Sequence, residues 1–294
     1  MTEKGEKRII PSIFRPKKER VKRTKVESII IWSVFVLFVI YALTLLYPFL
    51  YIFLNSFRSN WEIISEGRMA FPKQFDWKFY NQVIKEYPFH EYFFNSITLA
   101  LGQTLIGMLM TCMTSYTLAK YKFRGNEFIY TFVIVAGMIP TLGALPATYK
   151  LMSNTNLIDT YVGMLLMTCG GFGGYFLYLH SFFKSIPWSY AESAMLDGAS
   201  DFRIFVQIML PMVKNGIVAF TIIQFLGHWN EFWTPYMFYE SHPTIAVGLN
   251  ILDKENVTAK KFAGIMIATL PVILAYAIFQ RKIMDNSIGG GLKG

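Results

Sequence analysis

Runs of about 20 apolar residues recur along the chain, and a run of that length spans the hydrocarbon core of a bilayer as a helix. Apolar residues make up 53% of the 294 residues. This repetition predicts an all-α polytopic membrane protein. We predict six spans, at about residues 28–54, 92–118, 128–149, 157–183, 213–238 and 262–280.

The two cysteines, Cys112 and Cys169, both lie inside apolar runs. Two cysteines build neither a disulfide framework nor a Cys/His metal site with ligand spacing, so we interpret them as packing residues. The first apolar run is about 27 residues long and lacks a small-x-small cleavage site, which favours an uncleaved span over a signal peptide.

Basic residues are unevenly divided between the segments that join the predicted spans. If both ends of the chain lie inside the cell, the inner segments hold 19 of the 28 Lys and Arg residues. Because Lys and Arg collect in cytoplasmic loops, we expect both termini to be cytoplasmic. The chain then divides into a basic cytoplasmic arm (1–27), a transmembrane domain (28–281) and a cytoplasmic tail (282–294).

The net charge of +9 admits nucleic-acid binding as a second interpretation. That activity would depend on the run Arg15–Lys25 (RPKKERVKRTK). The simpler interpretation is a juxtamembrane arm attracted to anionic lipids, in which each Lys or Arg contributes about 1 kcal/mol. Such an arm needs no partner, and we predict no nucleic-acid ligand.

The polar stretch Tyr190–Pro211 (YAESAMLDGASDFRIFVQIMLP) lies in the longest inner connection between spans. Ser189 and Glu192, three residues apart, predict a capping box at the start of a short helix. Gly198 suits the left-handed residue that ends this helix. A second helix should run from about Ser200 to Met209, before Pro211. Its apolar face is predicted to consist of Phe202, Phe205, Val206 and Met209.

Two roles fit this helix pair on its spacing alone. One is an amphipathic hairpin that rests at the lipid interface. The other is a docking element that lies in a groove of a partner and transmits its movement. Local physics does not choose between them.

The same stretch resembles a family motif. Glu192-Ser193-Ala194, Asp197-Gly198-Ala199, Ile208 and Leu210-Pro211 resemble the cytoplasmic EAA loop of permease subunits in binding-protein-dependent ABC importers. The flanks resemble the carbohydrate-importing branch, which includes the maltose system; they are Asn95-Ser96, Ser115–Gly125, Phe183–Pro187 and Trp229–Phe232. The tail Gly291–Gly294 resembles the subgroup for complex oligosaccharides and polysaccharides. Ser193 departs from the alanine that the motif's name expects, and it is small enough to keep the packing.

The resemblance implies a type I ABC importer permease, with six helices and a coupling-helix loop at residues 185–211. In that family the glutamate of the loop bonds to the ATP-hydrolysing subunit and the glycine makes the turn. The coupling residues carried over are Glu192, Ser193, Ala194, Asp197, Gly198, Ala199, Leu210 and Pro211. The chain has no G-x-x-x-x-G-K-[ST] phosphate loop. We therefore predict a non-catalytic subunit with no cofactor of its own, and ATP and Mg bound by partner chains.

The resemblance also implies the partners. They are a homologous second permease subunit, two ATP-binding subunits and an extracytoplasmic sugar-binding protein, assembled in a bacterial cell membrane. The outer segments Asn55–Glu91 and Asn250–Lys261 are expected to meet the binding protein.

Glu231 is the acidic side chain that the predicted spans place deepest in the membrane. A charge at the bilayer centre costs roughly 2.5–3.5 kcal/mol, so it should face a partner or a water-filled cavity. Aromatic rings beside hydrogen-bonding groups suit sugars. We predict a substrate pathway that involves Trp229, Asn230, Glu231 and Trp233. An aromatic belt at the membrane interface, or packing against the partner subunit, would explain the same residues.

Several other residues in the spans have structural interpretations. His228 is expected to be a satisfied packing residue. The run Gly170–Gly174 contains a Gly-x-x-x-Gly pair that allows close helix packing. The prolines expected to kink their helices are Pro140, Pro146 and Pro235.

Three alternative functions remain open at this point. A permease for a non-sugar solute is the nearest. A secondary transporter would need coupling-ion sites and usually internal repeats, which the sequence does not display. A membrane-embedded enzyme would need a cluster of catalytic groups, and none is visible.

Overall fold

The computed structural model describes residues 24–67, 69–139, 141–170, 174–254 and 258–289, and these residues contain helices and no strand. The predicted all-α class is confirmed. The helices are α1 (Lys25–Asn55), α2 (Asn60–Ser65), α3 (Lys78–Glu86), α4 (Phe89–Lys120), α5 (Asn126–Met138), α6 (Thr141–Asn154), α7 (Tyr161–Leu166), α8 (Gly174–Ser185), α9 (Ser189–Leu196), α10 (Asp201–Ile204), α11 (Leu210–Met212), α12 (Lys214–Asn230), α13 (Trp233–Phe238), α14 (Ile245–Asp253) and α15 (Thr258–Gly289). The predictions for residues 1–23, Pro140, Gly171–Gly173 and the tail Gly291–Gly294 fall outside the described residues.

Among the described helices, α1 with 31 residues and α4 with 32 are each long and apolar enough to cross a membrane. Two bent pairs, α5 with α6 and α10–α11 with α12, raise the number of candidate spans to as many as four. Helix α15 is also 32 residues long; it contains the sixth predicted span, residues 262–280, and continues into the predicted tail as far as Gly289. The chain is a multi-pass membrane protein by these lengths, and the count of six spans stays a prediction.

Proline explains where two of these helices end. Ile139 precedes Pro140 and has an extended backbone (φ −71°, ψ 123°), as residues before proline prefer, so α5 ends there. The fifth predicted span is broken between α12 and α13 at Glu231, four residues before Pro235. In a continuous helix the ring of Pro235 would clash with the carbonyl of Glu231. The kink expected from Pro235 is thus a full break, whereas α6 continues through Pro146.

The chain divides into two compact units, Met1–Leu50 and Tyr51–Gly294. The described part of the first unit is the apolar length of α1 up to Leu50. In the second unit α4 is the central helix, and it packs against α5, α7, α8, α12 and α14. Its buried side chains recur along almost its whole length, from Phe89 to Leu118.

Arg58 is completely buried in the segment that follows α1. Its Nη1 donates to Asn55 Oδ1 at 3.1 Å and to the Gly67 carbonyl at 2.9 Å, and its Nη2 donates to the Glu62 carbonyl at 2.6 Å. The Glu66 carboxylate lies 3.8 Å from Nη2. Because a buried guanidinium is stable only when it is paired and hydrogen-bonded, these contacts hold α2 and the turn after it in one arrangement.

Helix α2 begins with a capping box that the sequence analysis did not identify. Ser59 Oγ accepts the Glu62 N–H at 3.3 Å, and the Ser59 N–H donates to Glu62 Oε2 at 2.7 Å. The bond from the Ser59 backbone, followed by that from its hydroxyl, lowers the pKa of Glu62. A lowered folded-state pKa stabilises α2 above the unfolded pKa, and this contribution is lost as the pH falls through the folded pKa.

We expect Arg58→Met to loosen residues 55–67. Methionine removes the hydrogen bonds that the buried guanidinium donates to Asn55 Oδ1 and to the carbonyls of Gly67 and Glu62. A hydrogen bond from a charged donor contributes about 1.5–3 kcal/mol. Chymotrypsin cleavage at Trp61 in the purified protein should become several times faster.

Lys73→Met is the matched control, because Lys73 pairs with the same Glu66 carboxylate but its side chain is 70% exposed. Exposed pairs contribute at most about 1 kcal/mol, so cleavage should change little. Equal acceleration in the two variants would contradict the role given to Arg58.

Candidate functional site

The coupling loop, residues 185–211, starts with α9, and its first turn differs from the prediction. Trp188 precedes the helix with a helical backbone (φ −66°, ψ −21°), and its carbonyl accepts the N–H groups of Ala191 and Glu192 at 2.8 and 3.1 Å. Ser189 already lies inside α9, where its carbonyl accepts the Ser193 hydroxyl at 3.0 Å. Because a capping side chain belongs to a residue outside the helix, the capping box between Ser189 and Glu192 does not form, and that prediction was wrong.

The turn after α9 confirms the prediction for Gly198. This residue has φ +77°, in the left-handed region. The Ala199 N–H donates to the Ala194 carbonyl at 2.9 Å, and the Gly198 N–H donates to the Met195 carbonyl at 3.0 Å. This pair of bonds is a Schellman motif, which satisfies carbonyls that the helix end leaves free. Ala194 is a buried member of one apolar cluster, and the half-buried Ala199 packs against the same cluster.

The second helix starts where it was predicted. Ser200 Oγ accepts the Arg203 N–H at 3.4 Å and caps α10. After α10 the chain forms one π-helical turn, Phe205–Met209. In a π-turn the hydrogen bonds join residues five apart, so residues with that spacing come to share a face.

The π-turn corrects the predicted apolar face. Ile204 and Met209, five residues apart, are both completely buried, and Phe205 is 4% exposed. Phe202 and Val206 are instead 71% and 41% exposed. The prediction assumed a period of 3.6 residues, and it was wrong for these two side chains.

The buried side of the loop packs into what we call the loop cluster. Its buried members are Met108, Cys112, Tyr116, Leu179, Phe183, Ile186, Ala191, Ala194, Ile204, Phe205, Met209 and Val213. They come from α4, α8, the coupling loop and the residue before α12. The small side chains of Ala191 and Ala194 let α9 lie close to these helices. The loop is therefore anchored to the transmembrane helices through a continuous apolar core.

The other side of the loop is exposed. Of the predicted coupling residues, Glu192, Ser193, Asp197, Gly198 and Pro211 are exposed, Ala199 and Leu210 are half-buried, and Ala194 is buried. Leu196 and Phe202 were not predicted as coupling residues, and they are 90% and 71% exposed. The exposed side of this polar loop therefore includes two large apolar side chains.

A second attachment, which we call the Tyr121 latch, joins the coupling loop to the end of α4. The Tyr121 hydroxyl donates to Asp201 Oδ1 at 2.9 Å and lies 3.3 Å from the Tyr116 hydroxyl. The Lys120 ammonium donates to the Ile186 carbonyl. Burial, together with the hydrogen bonds to Tyr116 and Asp201, raises the pKa of Tyr121. Sequence reasoning missed this contact because Tyr121 and Asp201 are 80 residues apart.

A cavity of about 450 Å³ lies between α4, α8 and α12. Its polar lining consists of Thr111, Thr168, Tyr175, Gln224, His228 and Glu231. Its remaining wall is formed by Gly107, Gly170, Gly174, Gly227 and Met167. In the described ranges, no three His, Cys, Asp or Glu side chains come together as metal ligands do. The described lining therefore offers hydrogen-bonding groups, the Glu231 carboxylate, the His228 imidazole and the Tyr175 ring.

Glu231 lies at the broken helix end beside this cavity. Its Oε1 accepts the Thr234 N–H at 3.1 Å and lies 3.3 Å from the Thr234 hydroxyl. The carboxylate thus satisfies a backbone donor that the break exposes at the start of α13. A negative charge at a helix N-terminus is also favoured by the helix dipole.

The structure does not bring the four predicted pathway residues together. Trp229 is 6% exposed and packs on Phe93 and Phe225, with ring centroids 5.7 and 6.1 Å apart. Asn230 is exposed and donates to the Leu226 carbonyl within its own helix, and Trp233 is 57% exposed. Of the four, Glu231 alone lines the cavity. Helical spacing explains this outcome, since Gln224, Gly227, His228 and Glu231 share the cavity face of α12 and Trp229 lies on another face.

Residues 103–284 match the family described as "Binding-protein-dependent transport system inner membrane component". The match covers the coupling loop and the cavity-lining residues. The chain belongs to this family. The resemblance inferred from the loop motif is thereby confirmed.

Individual relatives of this permease are similar over most of its length. The diacetylchitobiose uptake system permease protein NgcG of Streptomyces coelicolor is 32% identical over 267 residues, which are 88% of this chain and 84% of that protein. The arabinooligosaccharides transport system permease protein AraQ of Bacillus subtilis is 31% identical over 210 residues, 70% of this chain and 74% of that one. A chain of a bacterial ABC transporter involved in the import of the acidic polysaccharide alginate shares the fold, with a TM-score of 0.73, 24% identity and coverage of 88% and 98%.

We expect Tyr121→Phe to release the coupling loop of the permease from α4. A hydrogen bond to a charged group contributes about 1.5–3 kcal/mol, so the amides of residues 200–209 should exchange hydrogen roughly tenfold faster or more. Mass-spectrometric hydrogen exchange on the purified permease measures this change. Tyr190→Phe is the control, since Tyr190 is a 51% exposed tyrosine of the same loop. Unchanged exchange in Tyr121→Phe would show that the loop cluster alone holds the loop.

Proposed function

We propose that this chain is a permease subunit of an ATP-driven oligosaccharide importer, and that it forms half of the translocation path with a homologous second permease. The coupling loop docks on one of two ATP-binding subunits at the cytoplasmic side, where both termini also lie. The observation that carries this proposal is the two-sided loop. One side is fixed to the transmembrane helices by the loop cluster and the Tyr121 latch, and the other presents Glu192, Leu196 and Phe202 to a partner.

A loop with these two sides transmits movement as a rigid body. The partner would bury Leu196, and burying a leucine side chain contributes about 1.5–3 kcal/mol. Glu192 would supply a charge-assisted hydrogen bond that fixes the orientation of the contact. When the ATP-binding subunits close on ATP, the docked loop follows, and α4, α8 and α12 follow the loop because their side chains share its core. The cavity between these helices then changes its access from one side of the membrane to the other.

The charge of the loop argues against the lipid-interface alternative. Glu192, Asp197 and Asp201 lie on its exposed side, with Arg203 as the basic residue among them. The inner leaflet is negatively charged, so this surface would be repelled by the lipid headgroups. A protein partner with complementary charge suits the same surface.

The substrate class comes from the relatives. Two relatives are named for the uptake of diacetylchitobiose and the transport of arabinooligosaccharides, and the structurally similar transporter is involved in the import of alginate; all three solutes are carbohydrates. The polar cavity lining agrees with a hydroxyl-rich solute. The source of the solute would be an extracytoplasmic binding protein, in keeping with the family's binding-protein-dependent transport, and the segment organised by Arg58 would be part of its docking surface.

Nucleotide chemistry is assigned to the partner chains. The permease sequence contains no phosphate-binding loop, so ATP and Mg would be bound by the two ATP-binding subunits. This subunit contributes no catalytic residue and no cofactor of its own to the assembly.

The test is co-purification of the permease with its ATP-binding subunit, followed by ATP hydrolysis stimulated by sugar-loaded binding protein. We expect Glu192→Gln and Leu196→Asp each to lower stimulated hydrolysis about tenfold, as the loss of roughly 1.4 kcal/mol of docking energy requires. Leu196→Asp should also weaken co-purification, because it places a further charge at the centre of an apolar contact.

Glu127→Gln is the matched control, since Glu127 is an exposed acid in the first turn of α5, outside the coupling loop. It should leave both readouts at the wild-type level. Wild-type association and turnover in both loop variants would return residues 185–211 to the lipid-interface interpretation.

Uptake into proteoliposomes separates the importer from a secondary transporter. Labelled short oligosaccharides of several sugar types, delivered by the binding protein, should enter when ATP is present and no ion gradient is imposed. Uptake driven by a proton or sodium gradient without ATP would overturn the proposal.

A further inference from the structure

We infer that the cavity beside Glu231 is a binding subsite for neutral sugar units, and that Gln224, His228 and Glu231 are its hydroxyl-binding groups. The inference rests on the proposed function for the solute class. According to this inference, the subunit contacts the substrate directly. The contacts are made by residues on the cavity side of α12 and not by Trp229, which was predicted from the sequence.

The break between α12 and α13 lies beside the cavity, since Glu231 follows the last residue of α12 and lines that cavity. The last carbonyls of a helix lack the donors that a following turn would supply. Irregular backbone inside a membrane protein occurs where it is buried in protein or lines a cavity, and broken helices form the solute sites of many transporters. Since α12 ends at Asn230 and Glu231 lines the cavity, the break serves such a cavity here.

Gln224 has hydrogen-bonding capacity that the described residues do not use. Its Oε1 is buried and has no hydrogen-bond partner there, and its Nε2 lies 3.5 Å from His228 Nε2, at the limit of a hydrogen bond. Buried amide oxygens are almost always paired. Sugar hydroxyls both donate and accept, so a single hydroxyl satisfies either atom of the amide after a small rotation.

Gly107 provides the space that Gln224 occupies. A Cβ atom on Gly107 would lie 2.5 Å from Gln224 Nε2, which is too close for an unmoved side chain. The Gln224 side-chain amide of α12 thus lies directly against the α4 backbone at Gly107. Thr111 donates to the Gly107 carbonyl at 2.7 Å, so its hydroxyl proton is already engaged.

Glu231 retains one carboxylate oxygen for a ligand. Oε1 caps α13 through Thr234, whereas Oε2 has no hydrogen-bond partner among the described residues. Tyr175 lines the same cavity with a half-buried ring, which is suited to the C–H face of a sugar. The site therefore combines a ring with hydrogen-bonding groups, as the sequence analysis expected of Trp229 and its neighbours.

The charge of the lining defines the class of sugar. Glu231 is its one carboxylate, and the described lining contains no Lys or Arg. A uronic acid would bring a second negative charge next to Glu231, and among the described lining residues the only basic group is the His228 imidazole. We therefore assign neutral sugar units to this cavity, in contrast to the acidic polysaccharide of the structurally similar importer.

The experiment measures the amount of sugar imported per ATP hydrolysed by the complete importer in proteoliposomes. The probe is a neutral labelled oligosaccharide that the wild-type importer takes up in the proteoliposome test described above. We expect Gln224→Ala to lower this ratio about three- to tenfold, as the loss of one polar contact does. Binding-protein-stimulated ATP hydrolysis should stay within about twofold of the wild type. Glu231→Gln should lower the ratio less, because glutamine keeps an acceptor for Thr234.

Gly107→Ala tests the fit independently. The added methyl group displaces the Gln224 amide, so this variant should reproduce part of the loss. In a Gln224→Ala background it should add nothing, because the two changes act on one contact. Thr221→Val is the control, since Thr221 is a polar residue of α12 whose hydroxyl bonds the Ile217 carbonyl away from the cavity.

The outcomes separate this inference from the proposed function. Loss of ATP-dependent uptake in the wild type would overturn the importer itself. An unchanged ratio in Gln224→Ala, or a proportional fall of uptake and hydrolysis, would overturn the subsite. Preferential uptake of oligouronates over neutral oligosaccharides would overturn its charge assignment.

Discussion

The structure depends on one constraint, that every backbone donor and acceptor in a membrane chain needs a partner within the protein. Within a helix these groups pair with each other, so the unpaired donors and acceptors lie at the helix ends. At three breaks in this permease, a nearby residue supplies the missing hydrogen bond. Glu231 accepts from the start of α13, the Gly198 turn satisfies the end of α9, and Asn126 Nδ2 donates to the Leu118 and Tyr121 carbonyls after α4. The residues that solve the problem are those that shape the loop and the cavity.

The features predicted from sequence were those set by local chemistry. The apolar runs correctly predicted the all-α class. Gly198 correctly predicted the turn that ends α9, and Ser200 correctly predicted the start of α10. The capping box failed at Ser189 and occurred instead at Ser59, although both serines precede a glutamate by three residues. The difference lies in the backbone. Ser59 is extended and can cap, whereas the chain before Ser189 has already turned into the helix.

The features that sequence could not supply depend on contacts between distant residues or on a change of period. The Tyr121 latch and the fit of Gln224 over Gly107 join helices far apart in the chain. The π-turn at Phe205–Met209 shifts the buried face by one residue. A search for apolar residues at a period of 3.6 does not predict such a turn. Trp229 was predicted to contact the solute from its aromatic ring and polar neighbours, and its position on α12 places it in a buried apolar cluster.

Helix α12 connects the two halves of the proposed mechanism. It leaves the coupling loop at a bend of 82°, where Val213 is buried in the loop cluster, and it ends 17 residues later at the cavity. A helix of that length is about 25 Å long and behaves as a rigid rod on the scale of a docking movement. Rotation imposed at Val213 must therefore displace Gln224 and His228, two cavity-lining residues of α12, together. Because those side chains line the cavity beside α4, a movement of the coupling loop would alter the proposed solute-binding groups without any separate relay.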